Sequence, residues 1–173
     1  MLTDIQIKDL AKRMEIPLER VCFKDQLLEE PLKYNRSYII NMDNEYDENG
    51  KPNEGSHWVC FQMNKYPNGK IEGIYFDSFG EPSPQVVETF CKTKLPHNTL
   101  DIQSLMNNAC GFFVLAFLHF INASPYRMRH LYSDAETFMD MFVDLNKSID
   151  FKYNEEVLKL FFQPKQDKMI DKN

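Results

Sequence analysis

The stretch Ala109-Cys110-Gly111-Phe112-Phe113-Val114-Leu115-Ala116-Phe117-Leu118 constrains this chain more than any other. A helix built from it has almost no polar face, so it must be a buried core helix. The run out to Ala123 contains His119 and falls short of the roughly 18 apolar residues that cross a bilayer, so no membrane association is expected. Cys110 stands at the mouth of the run. A thiol at a helix N-terminus faces the positive end of the macrodipole. Its thiolate is stabilised there, below the free pKa of roughly 8.5. A buried structural cysteine that merely opens a core helix is the plain alternative.

Upstream residues supply what a nucleophilic cysteine needs. His57 lies in Gly55-Ser56-His57-Trp58-Val59, Asp77 in Ile74-Tyr75-Phe76-Asp77-Ser78-Phe79-Gly80, and Gln103 in Leu100-Asp101-Ile102-Gln103. Two strands are expected near His57 to Met63 and Lys70 to Phe76, joined through Pro67-Asn68-Gly69. Asn-Gly is a strong hairpin signal. The hairpin puts His57 and Asp77 at the same end of adjacent antiparallel strands, so contact between them is geometrically natural. An imidazole beside the sulfur takes and returns a proton, and a carboxylate orients the ring. A neutral amide donor stabilises a tetrahedral oxyanion. The alternatives are a satisfied core histidine at 57, a turn aspartate bonding its own backbone at 77 and an ordinary strand-end glutamine at 103. Trp58 is either a wall of a substrate groove or a core tryptophan.

The order His, acid, Gln, Cys resembles the adenovirus maturation protease family (adenain) and its relatives that process SUMO-like modifiers. His57-Trp58 is similar to the family's His-Trp pair, and Tyr75-Phe76-Asp77-Ser78-Phe79-Gly80 to its aromatic-acid-x-Phe-Gly strand end. Cys110-Gly111-Phe112-Phe113 with Phe117-Leu118-His119 resembles its nucleophile helix. Gln103 precedes Cys110 by seven positions, as in the adenovirus type. The acid is Asp77 where that type has Glu. Met106 stands where the family often has Asn, with Asn107 and Asn108 following.

The resemblance implies an α+β, papain-like but circularly rearranged cysteine protease fold: a central mixed or antiparallel sheet flanked by helices, with the nucleophile at the N-terminus of a buried helix. It implies catalysis by His57, Asp77 and Cys110, an oxyanion hole from Gln103 and the Cys110 backbone, and substrate contact by Trp58. The implied activity is cleavage of viral capsid or core precursors after glycine. Such an enzyme works in a viral factory, cytoplasm or nucleus and is packaged in the virion. A deconjugase for a ubiquitin-like or SUMO-like modifier is the second reading, and a non-catalytic peptide-binding module the third. A peptide or polyanion activator is implied by the resemblance alone, as is a loose likeness of Cys91 to an activator-linked cysteine.

The remaining signals bound the chain. Its 173 residues suit one domain over 1–163 with a polar tail over 164–173, and a monomer is expected. A net charge of -6 argues against a broad grip on nucleic acid, which needs clustered Lys and Arg. Lys92 and Lys94, or Arg127, Arg129 and His130, are read as solvated surface rather than as local patches. Cys22, Cys60, Cys91 and Cys110 show neither zinc-ligand spacing nor a disulfide framework, so no metal and no cofactor are expected. The N-terminus lacks a secretory pattern, which points to a reducing interior.

Elsewhere, Thr3 and Gln6 form a capping-box pattern opening a helix that Pro17 ends. Phe23 to Leu32 reads as loops with a short helical turn, Arg36 to Met42 as a strand, and Asp43 to Glu54 as a surface loop. Ser83-Pro84 opens a helix to about Lys94, and Thr99 to Gln103 is a short strand. Ser133-Asp134-Ala135-Glu136 caps a helix to about Asn146, and Asn154 to Phe162 forms the last helix.

Overall fold

The computed structural model describes residues 1–105, 107–123 and 130–163. Met106, the Arg127 and Arg129 pair and the polar tail over 164–173 lie outside the described residues.

The chain opens with α1 (Asp4–Arg13), whose capping box is complete: Gln6 N–H donates to Thr3 Oγ1, and Thr3 N–H donates to the Gln6 side chain. Ile7 and Ala11 form its buried face. β1 (Leu18–Phe23) and a 3-10 helix (Lys24–Glu29) follow, then β2 (Arg36–Asn41), β3 (Trp58–Lys65) and β4 (Ile71–Phe76). The sheet order is β1-β2-β3-β4. β1 runs parallel to β2, and the other two pairs are antiparallel. The expected mixed sheet is therefore present, and it includes β1, a strand the sequence did not signal. β1 was missed because Leu18-Glu19-Arg20-Val21 is half-buried along its length and carries two charges, a pattern without clean alternation.

The sheet is covered on both faces. Ile39, Cys60, Ile74 and Phe76 face the larger core cluster, built around α3 (Cys110–Asn122) with α1 beneath it and α4 (Leu131–Met139) beside it. Tyr38, Ile40, Val59, Phe61 and Tyr75 face α2 (Gln85–Cys91) and the 3-10 helix. This two-sided cover makes β3 buried at six consecutive positions. α3 is the buried helix expected from its composition, and α5 (Phe151–Leu160) closes the described fold. Phe138 of α4 is the hub of the larger cluster. Its ring meets those of Phe117, Phe142 and Phe161 at 5.4, 5.1 and 5.6 Å.

Several expectations need correction. Thr99–Gln103 forms no strand; Tyr75 pairs instead with the preceding segment through Tyr75 N–H to Pro96 O and an isolated bridge to His97. α2 is shorter than expected. Pro84 itself is the N-cap and offers no side-chain bond, and Lys92 in the left-handed region (φ 58°) stops the helix. α4 begins at Leu131, so Ser133 lies inside it and caps nothing. The cap comes from β4 instead: buried Glu72 accepts from Leu131 N–H at 3.2 Å and pairs with His130 Nδ1 at 3.0 Å. No local pattern can show a cap supplied across fifty-nine positions of chain. α4 also ends at Met139, well before Asn146. α5 begins earlier than Asn154 because Asp150 accepts from Tyr153 N–H.

Candidate active site

Three breaks in regular structure bring the expected side chains together. His57 immediately precedes β3, Asp77 immediately follows β4, and Cys110 is the first residue of α3. The hairpin register runs from Lys65 opposite Ile71 to Cys60 opposite Phe76. His57 and Asp77 therefore emerge at one end, and His57 Nε2 lies 2.7 Å from Asp77 Oδ1. The ring also stacks on Phe79, with centroids 4.7 Å apart. With Nε2 committed to the carboxylate, Nδ1 is the nitrogen left for Cys110, whose thiolate the imidazole favours.

Asp77-Ser78-Phe79-Gly80 is a tight turn, closed by Gly80 N–H to Asp77 O at 2.8 Å. Gly80 has φ 78°, and a Cβ there would sit 2.7 Å from the Thr99 carbonyl oxygen. Only glycine tolerates both that backbone and that approach. Asp77 Oδ1 also accepts from Phe79 N–H at 2.9 Å, which fixes the carboxylate toward the ring.

The electrostatics separate Cys110 from the other three thiols. Burial pushes Cys22 up to about 11 and Cys91 up to about 12, and raises Cys60 well above the ordinary thiol value. Cys110 is just as hidden, yet its pKa is lowered. Burial opposes its thiolate, but hydrogen bonds from His57 and from the Trp58 and Gly111 backbone N–H groups outweigh that, as does the charge of His57. No side chain at Ala109 caps α3, so none competes for its first-turn N–H groups. Burial likewise opposes a charged His57, but bonds to Asp77 and Cys110 carry it up to about 9. Thiolate and imidazolium therefore stabilise each other.

The pH consequence has a definite sign. Cys110 is ionised above its lowered value, while His57 stays protonated until about 9. Iodoacetamide should alkylate Cys110 at its plateau rate below the ordinary thiol range, with Cys22, Cys60 and Cys91 protected in the folded protein. His57 contributes to folding stability fully below 6.5, and that contribution is lost as pH rises through about 9. Mass-spectrometric mapping of the alkylated cysteine across pH checks the first point.

Gln103 is buried at 2% exposure in an irregular segment. Its Oε1 accepts from the Ser78 hydroxyl and its Nε2 donates to Asn107 O at 3.1 Å, tying it to the loop that enters α3. Asn107 Oδ1 in turn accepts from Ala109 N–H, and its Nδ2 donates to Glu155 of α5. Trp58 is 6% exposed, and its indole N–H donates to Leu2 O at 2.9 Å. It packs in the core and also lines a cavity of about 420 Å³ with Leu2, Asn41 and Glu54. The core reading of Trp58 thus describes its packing. Cys91 is buried rather than half-buried. His97 and His119 bond backbone carbonyls at Asn98 and Met14, away from the nucleophile. Sequence reasoning missed Asn98, which contacts the Asp77 main chain, and the pairing of Ser78 with Gln103. Only the placement of Ser78 beside Asp77 hinted at the latter.

No protein-family model matches this chain, and no curated protein matches it. A solved structure, the Xanthomonas campestris effector protein XopD bound to ubiquitin, is similar at 13% identity with a TM-score of 0.41. The alignment covers 92% of this chain and 90% of that one. So loose a superposition assigns neither family nor activity. Among the described residues, no group of three or more His, Cys, Asp or Glu could hold a metal ion, and no helix is long and apolar enough to cross a membrane.

Proposed function

We propose that this chain is a thiol endopeptidase. The observation that carries the reading is the convergence of an imidazole held by Asp77 at 2.7 Å and a thiol at the first residue of α3; in keeping with it, burial raises the other three thiols while His57 draws Cys110 down. His57 Nδ1 takes the Cys110 proton, while Nε2–H donates to Asp77. The thiolate attacks a peptide carbonyl carbon, and the oxyanion is held by the Cys110 backbone N–H and Gln103 Nε2, whose second hydrogen is not used on Asn107. The imidazolium protonates the leaving amine. Water, deprotonated by His57, then hydrolyses the thioester.

The approach to the sulfur is narrow. Cys110 is 3% exposed, and the Leu2 side chain would lie 3.0 Å from a Cβ placed on Gly111. This crowding supports a substrate with glycine before the scissile bond, passing along Trp58. The seven-position spacing of Gln103 and Cys110 and the Phe117-Leu118-His119 run support capsid or core precursors as the substrate class.

Co-expression of wild type or Cys110→Ala with candidate virion precursors, read by mass spectrometry of new termini, tests both levels. Cuts after glycine made only by wild type are expected. Processing of ubiquitin-like conjugates alone would reverse the substrate assignment in favour of a deconjugase. Absence of any Cys110-dependent cut in either panel would leave a peptide-binding module.

A further inference from the structure

Asp77 and Ser78 are consecutive, yet they serve different halves of the site. The Asp77 main chain is gripped by one side chain from a distant loop: its N–H donates to Asn98 Oδ1 at 3.1 Å, and its carbonyl accepts from Asn98 Nδ2 at 2.6 Å. Asn98 Nδ2 also donates to Leu100 O at 3.3 Å. The amide thus pairs with Asp77 as a neighbouring strand would, at the point where β4 has ended. Ser78 is fully buried. Its carbonyl accepts from Ile102 and Gln103 N–H at 2.9 and 3.2 Å, and its hydroxyl donates to Gln103 Oε1.

That hydroxyl bond determines which way the glutamine amide faces. A hydroxyl hydrogen aimed at Oε1 holds the oxygen on the Ser78 side and the NH₂ toward Asn107 and the nucleophile loop. Without it, rotation by half a turn presents a carbonyl oxygen where a donor is needed, which repels an oxyanion. Loss of the Asn98 grip frees the Asp77 backbone, and its carboxylate can then drift from the ring it orients.

We propose that the Asp77–Gly80 turn is the joint aligning both arms of the site, with Asn98 a positioning residue for Asp77 and Ser78 a positioning residue for Gln103. The Ser78 half rests on the thiol-peptidase reading; the Asn98 half rests only on the His57 ring. The titratable groups facing that ring are Asp77 and Cys110.

Two chemistries separate the arms. Iodoacetamide alkylation is a displacement at carbon and develops no oxyanion; hydrolysis of a fluorogenic glycyl-amide peptide does. Asn98→Ala should lower the His57 titration midpoint, read by ring-proton NMR, by roughly one unit or more and displace the alkylation pH profile with it. Ser78→Ala should leave that profile as in wild type while kcat for the peptide falls by roughly 10- to 100-fold at similar KM, and Ser78→Thr should recover most of the loss. If Asn98→Ala does not fold, Asn98→Ser, which stays polar and uncharged but is too short to span both the Asp77 N–H and carbonyl, should give the same His57 shift. An unchanged His57 titration in a folded Asn98 variant overturns the first half. Equal losses in both chemistries for Ser78→Ala, or no loss, overturn the second. A wild type that hydrolyses no peptide removes the peptidase reading and the Ser78 half together, while the His57 titration still decides the Asn98 half.

Discussion

His57→Ala should slow peptide cleavage by roughly 10²- to 10⁴-fold, the range in which a positioned acid–base group contributes. Two losses combine. The variant has no group to protonate the leaving amine, and Cys110 loses the largest contribution that opposes its burial penalty. With desolvation then dominant, the thiol should move upward toward Cys22 and Cys91, which burial holds at about 11 and about 12. Two readouts are therefore coupled: kcat/KM falls, and the alkylation profile of Cys110 moves to higher pH. Cys110→Ala, lacking the sulfur, sets the background of the assay. A variant without the imidazole that still alkylates at the wild-type rate at neutral pH would show that the ring does not activate the thiol. Asp77 acts one step further back. Its carboxylate holds Nε2–H at 2.7 Å and so leaves Nδ1 as the nitrogen that exchanges the proton.

Phe138→Ala should cost about 3–5 kcal/mol of folding stability, the range measured for buried phenylalanine truncations. Phe138 is 0% exposed and binds three parts of the fold. Its ring lies at 5.8 Å from Phe76 of β4, 5.4 Å from Phe117 of α3, and 5.6 Å from Phe161 beyond α5. Neighbours held by separate elements cannot all collapse into the space left behind, so the cavity term persists. Against a typical total of about 5–15 kcal/mol, the loss is large enough to read as a clear fall in the urea midpoint at unchanged slope. A change below about 1 kcal/mol would mean that the α4 packing is not as described. Because Phe76 immediately precedes Asp77 and Phe117 lies on the nucleophile helix, the same cavity should also loosen the site; kcat measured well below the melting transition separates that effect from unfolding.

The parts of the site that were legible beforehand depended on short-range geometry. Asn68-Gly69 set the hairpin, and the hairpin set His57 beside Asp77. The apolar run after Cys110 set a buried helix with the thiol on its first turn. The Thr3 and Gln6 pattern gave a true capping box because both partners lie within one turn. The Ser133 pattern failed because Glu72, fifty-nine positions before Leu131, supplied a better cap two residues upstream. Thr99–Gln103 resembled a strand, but its neighbour at that edge is the Asp77–Gly80 turn, which offers the Ser78 carbonyl to Ile102 and Gln103 rather than a ladder.

Residue types at fixed spacing singled out Cys110, His57, Asp77 and Gln103 as candidates, together with most of the elements that carry them, since helix and hairpin geometry act over a few residues. The orientation of those groups was settled only by the tertiary structure. Which nitrogen of His57 meets the acid, which way the Gln103 amide faces and what grips Asp77 all depend on hydrogen bonds between segments far apart in the chain. Local propensity carries no information about such bonds; the desolvation that makes each of them consequential exists only once the core has closed around it.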